Sequence, residues 1–360
     1  MRKVFIKGIP VLLFTTLTVT ACSFGSDEAM NEMDTPPVNY VEEGDSLDIE
    51  ELNEELPGEE APDAQGPDDE ENVDKIEREI YLIDSNGLVV PQTLSLPKTE
   101  GTLRQSLEYL VEGGPITEIL PNGFRAVIPA GTVVDVHLED GTAIADFSNE
   151  FKEYNPDNEQ QILQAITWTL TQFENVDRVQ IRINGYDQEM MPVNGTPIGK
   201  GVSRANGINL EADQVVDVVN SNEVNLYFLA QNGEDTYYVP VTRRVNLGKD
   251  AVKTAVEELL NGPSYHTNLL TDFSKDVALI DDPMYENGVV TLNFNESILN
   301  QLQGAAISEE VMSMLALTLT EQEGIEKVAI QVNGESNIMQ ENGEMAKPVA
   351  RPSLVNKGSY

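Results

Sequence analysis

The sequence predicts an α+β protein: two tandem homologous α/β domains, each a mixed or antiparallel sheet with two helices on one face. Three observations predict it. Segments recur in order at a shift of 146 to 149 residues. Within each copy the apolar period switches between two and about 3.6, the signs of strands and helices. An abrupt change of composition after Asn72 sets both copies apart from what precedes them.

The repeat is a duplication of a whole domain. "IYLIDSNG" at 80 to 87 returns as "LYFLAQNG" at 226 to 233, and "GTAIADFS" from Gly141 returns as "GVVTLNFN" from Gly288. "TLTQFENVDRVQIRING" from Thr169 matches "TLTEQEGIEKVAIQVNG" from Thr318. Such a period is far above the 20 to 50 residues of stacked repeats, and each copy is large enough for its own core. The expected divisions are a leader over 1–21, a tether over 22–72, a first domain over 73–212 and a second over 213–360.

Each copy opens on two strands joined across a turn, "EIYLID" to "LVVPQTLSL" around Asn86-Gly87 and "NLYFLA" to "TYYVPVTRRV" around Asn232-Gly233. A helix follows. In the first copy Leu103, Leu107 and Leu110 share a stripe that stops at Gly113 and Gly114; in the second Val252, Val256, Leu259 and Leu260 stop at Gly262-Pro263. "TVVDVHL" and "TAIADFS" then alternate around Asp140-Gly141, with "VALIDDP" and "VVTLNFN" as equivalents around Asn287-Gly288.

The second helix begins where Asn155 caps and Pro156 opens, and Ile162, Ile166, Leu170 and Phe173 line one side. Val311, Leu315 and Leu319 repeat the stripe, and Trp168 and Met312 are expected in the same packing rather than against a ligand. A strand closes each copy, "RVQIRING" or "KVAIQVNG". The order β-β-α-β-β-α-β favours a layered α+β domain.

The leader carries Arg2, Lys3 and Lys7 before an apolar run from Ile9 to Val19, too short to span a bilayer. Val19-Thr20-Ala21-Cys22 has the pattern of a bacterial lipobox, with cleavage between Ala21 and Cys22 and diacylation of the only cysteine in the chain. Two acyl chains hold where one binds only marginally. The protein is thus expected to be anchored, not spanning, with no disulfide inside its chain. From Ser23 to Asn72 there are nineteen Asp or Glu and no Lys or Arg, a composition that cannot order itself. A solvated spacer is the preferred reading, an acidic docking arm the other.

Formal net charge is -40, and the chain after Asn72 holds 43 of the 62 acids against 19 of the 22 bases. Nucleic acid would be repelled, so it is discarded as a partner, and the acyl chains remain the route to the membrane. His137 and His266 occupy non-equivalent points of the two copies, which disfavours histidine catalysis and zinc alike. Calcium loops and Walker loops are missing. Glu108, Glu112, Asp146 and Glu150 could by composition supply a carboxylate pair for a hydrolase acting on peptidoglycan, but Asp146 aligns with Asn293. A glycan binder would need exposed aromatics, and Tyr237 and Tyr238 are the only local cluster. No enzyme and no cofactor are therefore expected.

The duplicated order of helix, "LPNGF", "GTAIADFSNEF", "TWTLTQF" and "RINGY", behind a lipobox and an acidic tether, resembles the GerMN domain family. The resemblance implies compact modules similar to the ring-building units of secretion machines, which associate side by side. It further implies a lipoprotein of sporulation and spore germination in the mother-cell-derived outer forespore membrane. There it would face the intermembrane space and help assemble the channel complex between mother cell and forespore. The family supplies no catalytic residues. The second copy departs where "ILPNGFRAV" becomes "LLTDFSKDV", so the two copies need not share a partner. The competing class is a remodelling enzyme of the spore cortex or a glycan-binding helper.

Overall fold

The computed structural model describes residues 74–211, 221–246, 250–300 and 306–358. The leader, Ala21, Cys22 and the tether lie outside the described residues. In the first copy the elements are β1 (Lys75–Asp84), β2 (Val89–Pro97), α1 (Thr102–Glu108), β3 (Phe124–Arg125), β4 (Val134–Glu139), β5 (Thr142–Phe147), α2 (Glu159–Leu170), β6 (Arg178–Ile183) and β7 (Tyr186–Asp187). The second copy has β8 (Ser221–Asn232), β9 (Asp235–Asn246), α3 (Ala251–Asn261), β10 (Met284–Glu286), β11 (Val289–Phe294), β12 (Ala306–Ile307), α4 (Glu309–Leu319), β13 (Lys327–Val332), β14 (Met339–Gln340) and β15 (Val349–Ala350).

The α+β class with mixed sheets holds in both copies. Most strands of each copy fall in an opening hairpin, β1–β2 or β8–β9, or in a four-stranded sheet ordered β4-β5-β6-β7 or β10-β11-β13-β15, while β3 adds to β1 and β12 pairs with β14. Parallel pairs need a crossover, and α2 carries the chain from β5 to β6 as α4 carries it from β11 to β13.

That placement explains why α2 is buried nearly all round. Beyond the expected stripe, Ala165 and Thr169 at its edge and Trp168 on the opposite side are also enclosed, because α2 packs on β1 as well as on β6. A helix clasped between two layers needs apolar residues on both sides. A threonine of α2, and its equivalent in α4, satisfies the hairpin. Tyr81 N donates to Thr169 Oγ1 and Tyr227 N to Thr318 Oγ1, each at 3.0 Å, so the "TLT" of each copy replaces a missing strand partner.

Asn155 accepts from Asp157 N, and the 3₁₀ turn Pro156–Asn158 leads straight into α2. Helix α1 stops at Glu108, well short of Gly113. Leu110 O accepts from Val127 N and Ile128 N, and Glu112 N donates to Ile128 O, pulling the chain out of the helix. "VALIDDP" is not a regular strand either. Between the pairs Leu279 with Phe294 and Met284 with Thr291, five steps on one side face three on the other. Pro283 has no N–H for the ladder, and Asn293 Nδ2 donates to Asp281 Oδ2 at 2.6 Å, so the edge bulges there.

Each copy has its own core, one built around Leu82, Phe147, Ile166 and Trp168, the other around Phe228, Leu292, Phe294 and Leu315. Val90 of β2 belongs to the second core, where the copies meet. No helix of the described residues is long and apolar enough to cross a membrane.

Candidate interaction surface at the domain seam

The segments that follow the closing strands were not assigned from the sequence, and they build the seam. Asn209 and Asn356 both have positive φ, 46° and 53°, which leaves their side chains free to clamp backbone. Asn209 accepts from Val89 N at 2.8 Å and donates to Val89 O and Pro240 O at 2.7 Å each. Asn356 accepts from Tyr238 N at 2.7 Å and donates to Tyr238 O and Pro91 O at 2.7 and 2.8 Å. Each asparagine thus ties its own copy's hairpin to the other copy's hairpin. The backbone repeats the exchange, for Thr242 N donates to Ile208 O and Thr93 N to Val355 O. The result is a pseudo-twofold in which each copy's tail is held by the other's hairpin.

A charged cleft of about 500 Å3 opens at this seam, lined by Glu79, Gln172, Arg204, Glu321 and Arg351 among others. Glu321 Oε1 lies 3.4 Å from Arg204 and 3.1 Å from Arg351, and accepts from the Tyr227 hydroxyl at 3.0 Å. The Arg204 guanidinium lies over Trp168, 4.4 Å from the ring centroid. Burial raises Glu79 above the ordinary carboxyl range against the opposing pull of Arg351 and Arg204. Burial also raises the Tyr227 hydroxyl, reinforced by Glu321. Glu321 thus sits between two guanidiniums, and its pair with Arg204 crosses from one copy to the other.

The loop "LPNGF" seats the tip of the second hairpin. Asn232 Nδ2 donates to Asn122 O at 2.6 Å, and Phe124 meets Tyr237 edge to face at 5.1 Å. Asp84 accepts from the Tyr237 hydroxyl at 2.8 Å while clasping its own turn through Asn86 N and Leu88 N. A third tie is the Arg243 guanidinium, buried over Phe228 and paired with Glu211 and Glu258 at 2.8 and 2.9 Å.

The carboxylates singled out from the sequence stand on separate elements. Glu108 pairs with Arg104 on α1, and Glu112 is exposed beyond it. Asp146 on β5 accepts from Gly185 N at 3.0 Å, and Asn293 accepts from Gly334 N at 2.9 Å, so the two equivalent positions fasten the same turn. Exposed Glu150 is held below its ordinary value by Ser148. His137 is exposed on β4 and His266 is exposed in a turn. Trp168 and Met312 are buried, as expected of packing residues. Tyr237 is buried and Tyr238 half-buried, so neither forms an open stacking platform. Among the described residues no group of three His, Cys, Asp or Glu is placed to hold a metal ion.

The family described as Germane, sporulation and spore germination, matches residues 79–189 and 225–338. The chain is 48% identical over 365 residues to the spore germination protein GerM of Bacillus subtilis (strain 168), covering 98% of this chain and 99% of that one. A solved structure of the tandem GerMN domains of the sporulation protein GerM from Bacillus subtilis superposes with a TM-score of 0.75 at 53% identity. It covers 79% of this chain and 100% of its own.

Proposed function

Because the chain belongs to the Germane family and has its role in sporulation and spore germination, we propose that it works there as a lipid-anchored, non-enzymatic assembly factor. Cys22 carries the acyl chains, the tether spaces the folded part from the outer forespore membrane, and the two domains dock onto protein components of the channel between mother cell and forespore. The observation that carries this reading is the edge of the second copy's sheet. Met284 and Tyr285 on edge strand β10 are 53% and 51% exposed, and Ile280 in the adjoining bulge is 48% exposed. The first copy's edge strand exposes Asp135, His137 and Glu139, whereas Glu286 is the one charged residue of β10. Charge on an edge discourages pairing; exposed apolar side chains beside unpaired backbone invite it. Asp146 and Asn293, doing one structural task, support a role without catalysis.

Met284→Lys combined with Ile280→Lys should leave the melting temperature within a few degrees of wild type and abolish co-purification of channel components from sporulating cells. Retained co-purification rejects this docking edge. Release of muropeptides on incubating the protein with cortex peptidoglycan would establish the cortex-enzyme reading instead. Radiolabelled palmitate should enter the wild-type product and not Cys22→Ser.

A further inference from the structure

A second groove at the seam, of about 410 Å3, is lined by Gln92, Leu120 and Phe124 from the first copy and by Asn232 and Tyr237 from the second. Gln92 is only 3% exposed, yet among the described residues its Nε2 has no hydrogen-bond partner. The duplication makes the cost plain. Gln92 faces Ile80 in the first hairpin as Val241 faces Leu226 in the second, so the equivalent position is filled by a fully apolar side chain. A buried amide donor without an acceptor is less stable than an apolar side chain in the same space. Its presence is accounted for if an acceptor arrives from outside.

The walls say what kind of acceptor. The Asn232–Asn122 bond and the Phe124–Tyr237 contact join the two walls across the seam. Of the charged groups lining it, Lys357 is already paired with Glu77 at 3.0 Å. Glu118 and Asp235 are exposed and have no ion pair among the described residues. A carboxylate ligand would meet their repulsion, whereas a neutral carbonyl beside a cation would meet their attraction.

We propose that this groove binds an extended basic peptide of a partner protein, whose main-chain carbonyl accepts from Gln92 Nε2 and whose Lys or Arg side chain lies between Glu118 and Asp235. The inference rests on the assembly reading above and names the chemistry of one partner. It lies on the seam, not on the β10 edge, so the two can fail separately.

The test is selection of a displayed heptapeptide library on the whole purified chain. The enriched peptides should carry Lys or Arg, and a synthetic copy of the best should bind with one-to-one stoichiometry. Gln92→Val should raise the melting temperature slightly and weaken that peptide at least tenfold. Glu118→Lys with Asp235→Lys, both on the surface, should weaken it as much without changing the melt. Absence of enrichment, enrichment of peptides lacking basic residues, or affinity unchanged in both variants overturns the proposal. If co-purification of channel components persists alongside any of these results, the groove is refuted and the assembly role stands.

Discussion

A single carboxylate shows how much one side chain can organise. Glu159, at the start of α2, is 1% exposed, and accepts from Val193 N, Asn194 N, Thr196 N and the Tyr154 hydroxyl. Burial pushes its pKa up, but the backbone N–H of Asn194, the hydroxyl and N–H of Thr196 and the Tyr154 hydroxyl outweigh burial and hold it at about 2. A group depressed on folding contributes stability that is fully present above its unfolded pKa and is lost as pH falls through the folded value. For Glu159 that window runs from the ordinary carboxyl range near 4.5 down to about 2. Glu159→Gln should cost about 2 kcal/mol at neutral pH, the usual range for hydrogen bonds to a charged group. The cost should vanish below pH 2, where the wild-type carboxyl is also neutral. Urea denaturation at pH 7 and below pH 2 measures both, and a pH-independent difference would show that Glu159 acts by packing alone.

At the scale of elements the duplication made most of the fold readable. Two occurrences of each hairpin, helix and closing strand fixed their order, and the Asn–Gly and Asp–Gly turns marked their ends. What failed to show were departures set by tertiary bonds. Helix α1 gives way to the pairing of Leu110 with Val127 and Ile128, and the strand expected over 277–283 breaks at Pro283. The tails were missed because they have no apolar period. Their signal was a fixed shift of 147, which aligns Lys200 with Lys347, Val202 with Val349, Arg204 with Arg351, Ile208 with Val355 and Asn209 with Asn356. The groove was illegible for another reason: Gln92 and Phe124 become neighbours of Tyr237 only once the copies have docked. The tie between strand and helix gives a prediction at this scale. Thr169→Val and Thr318→Val keep shape but leave Tyr81 N or Tyr227 N without its acceptor, and each should cost about 1–3 kcal/mol. Similar losses in both variants would follow from the shared geometry; a loss in only one would show that the copies do not use the threonine alike.

Two domains with separate cores commonly unfold separately, and the seam argues that these do not. Each tail is bonded to the hairpin of the other copy through Ile208–Thr242 and Val355–Thr93, and each asparagine clamps both hairpins. Opening one copy therefore strips partners from the other. Arg243 adds a buried ion pair to Glu211 at the end of the first tail, and breaking such a pair by removing one partner costs about 3–5 kcal/mol. Calorimetry of the whole chain should accordingly give one cooperative transition, with equal calorimetric and van't Hoff enthalpies. Glycine at both clamps, Asn209→Gly with Asn356→Gly, keeps the positive φ available while removing the side-chain bonds. That double variant should split the transition in two, because each core remains intact and only the coupling between them is weakened. A single sharp transition in the variant, merely shifted down, would locate the cooperativity in the apolar contact around Val90 and Phe124 instead of in the exchanged tails.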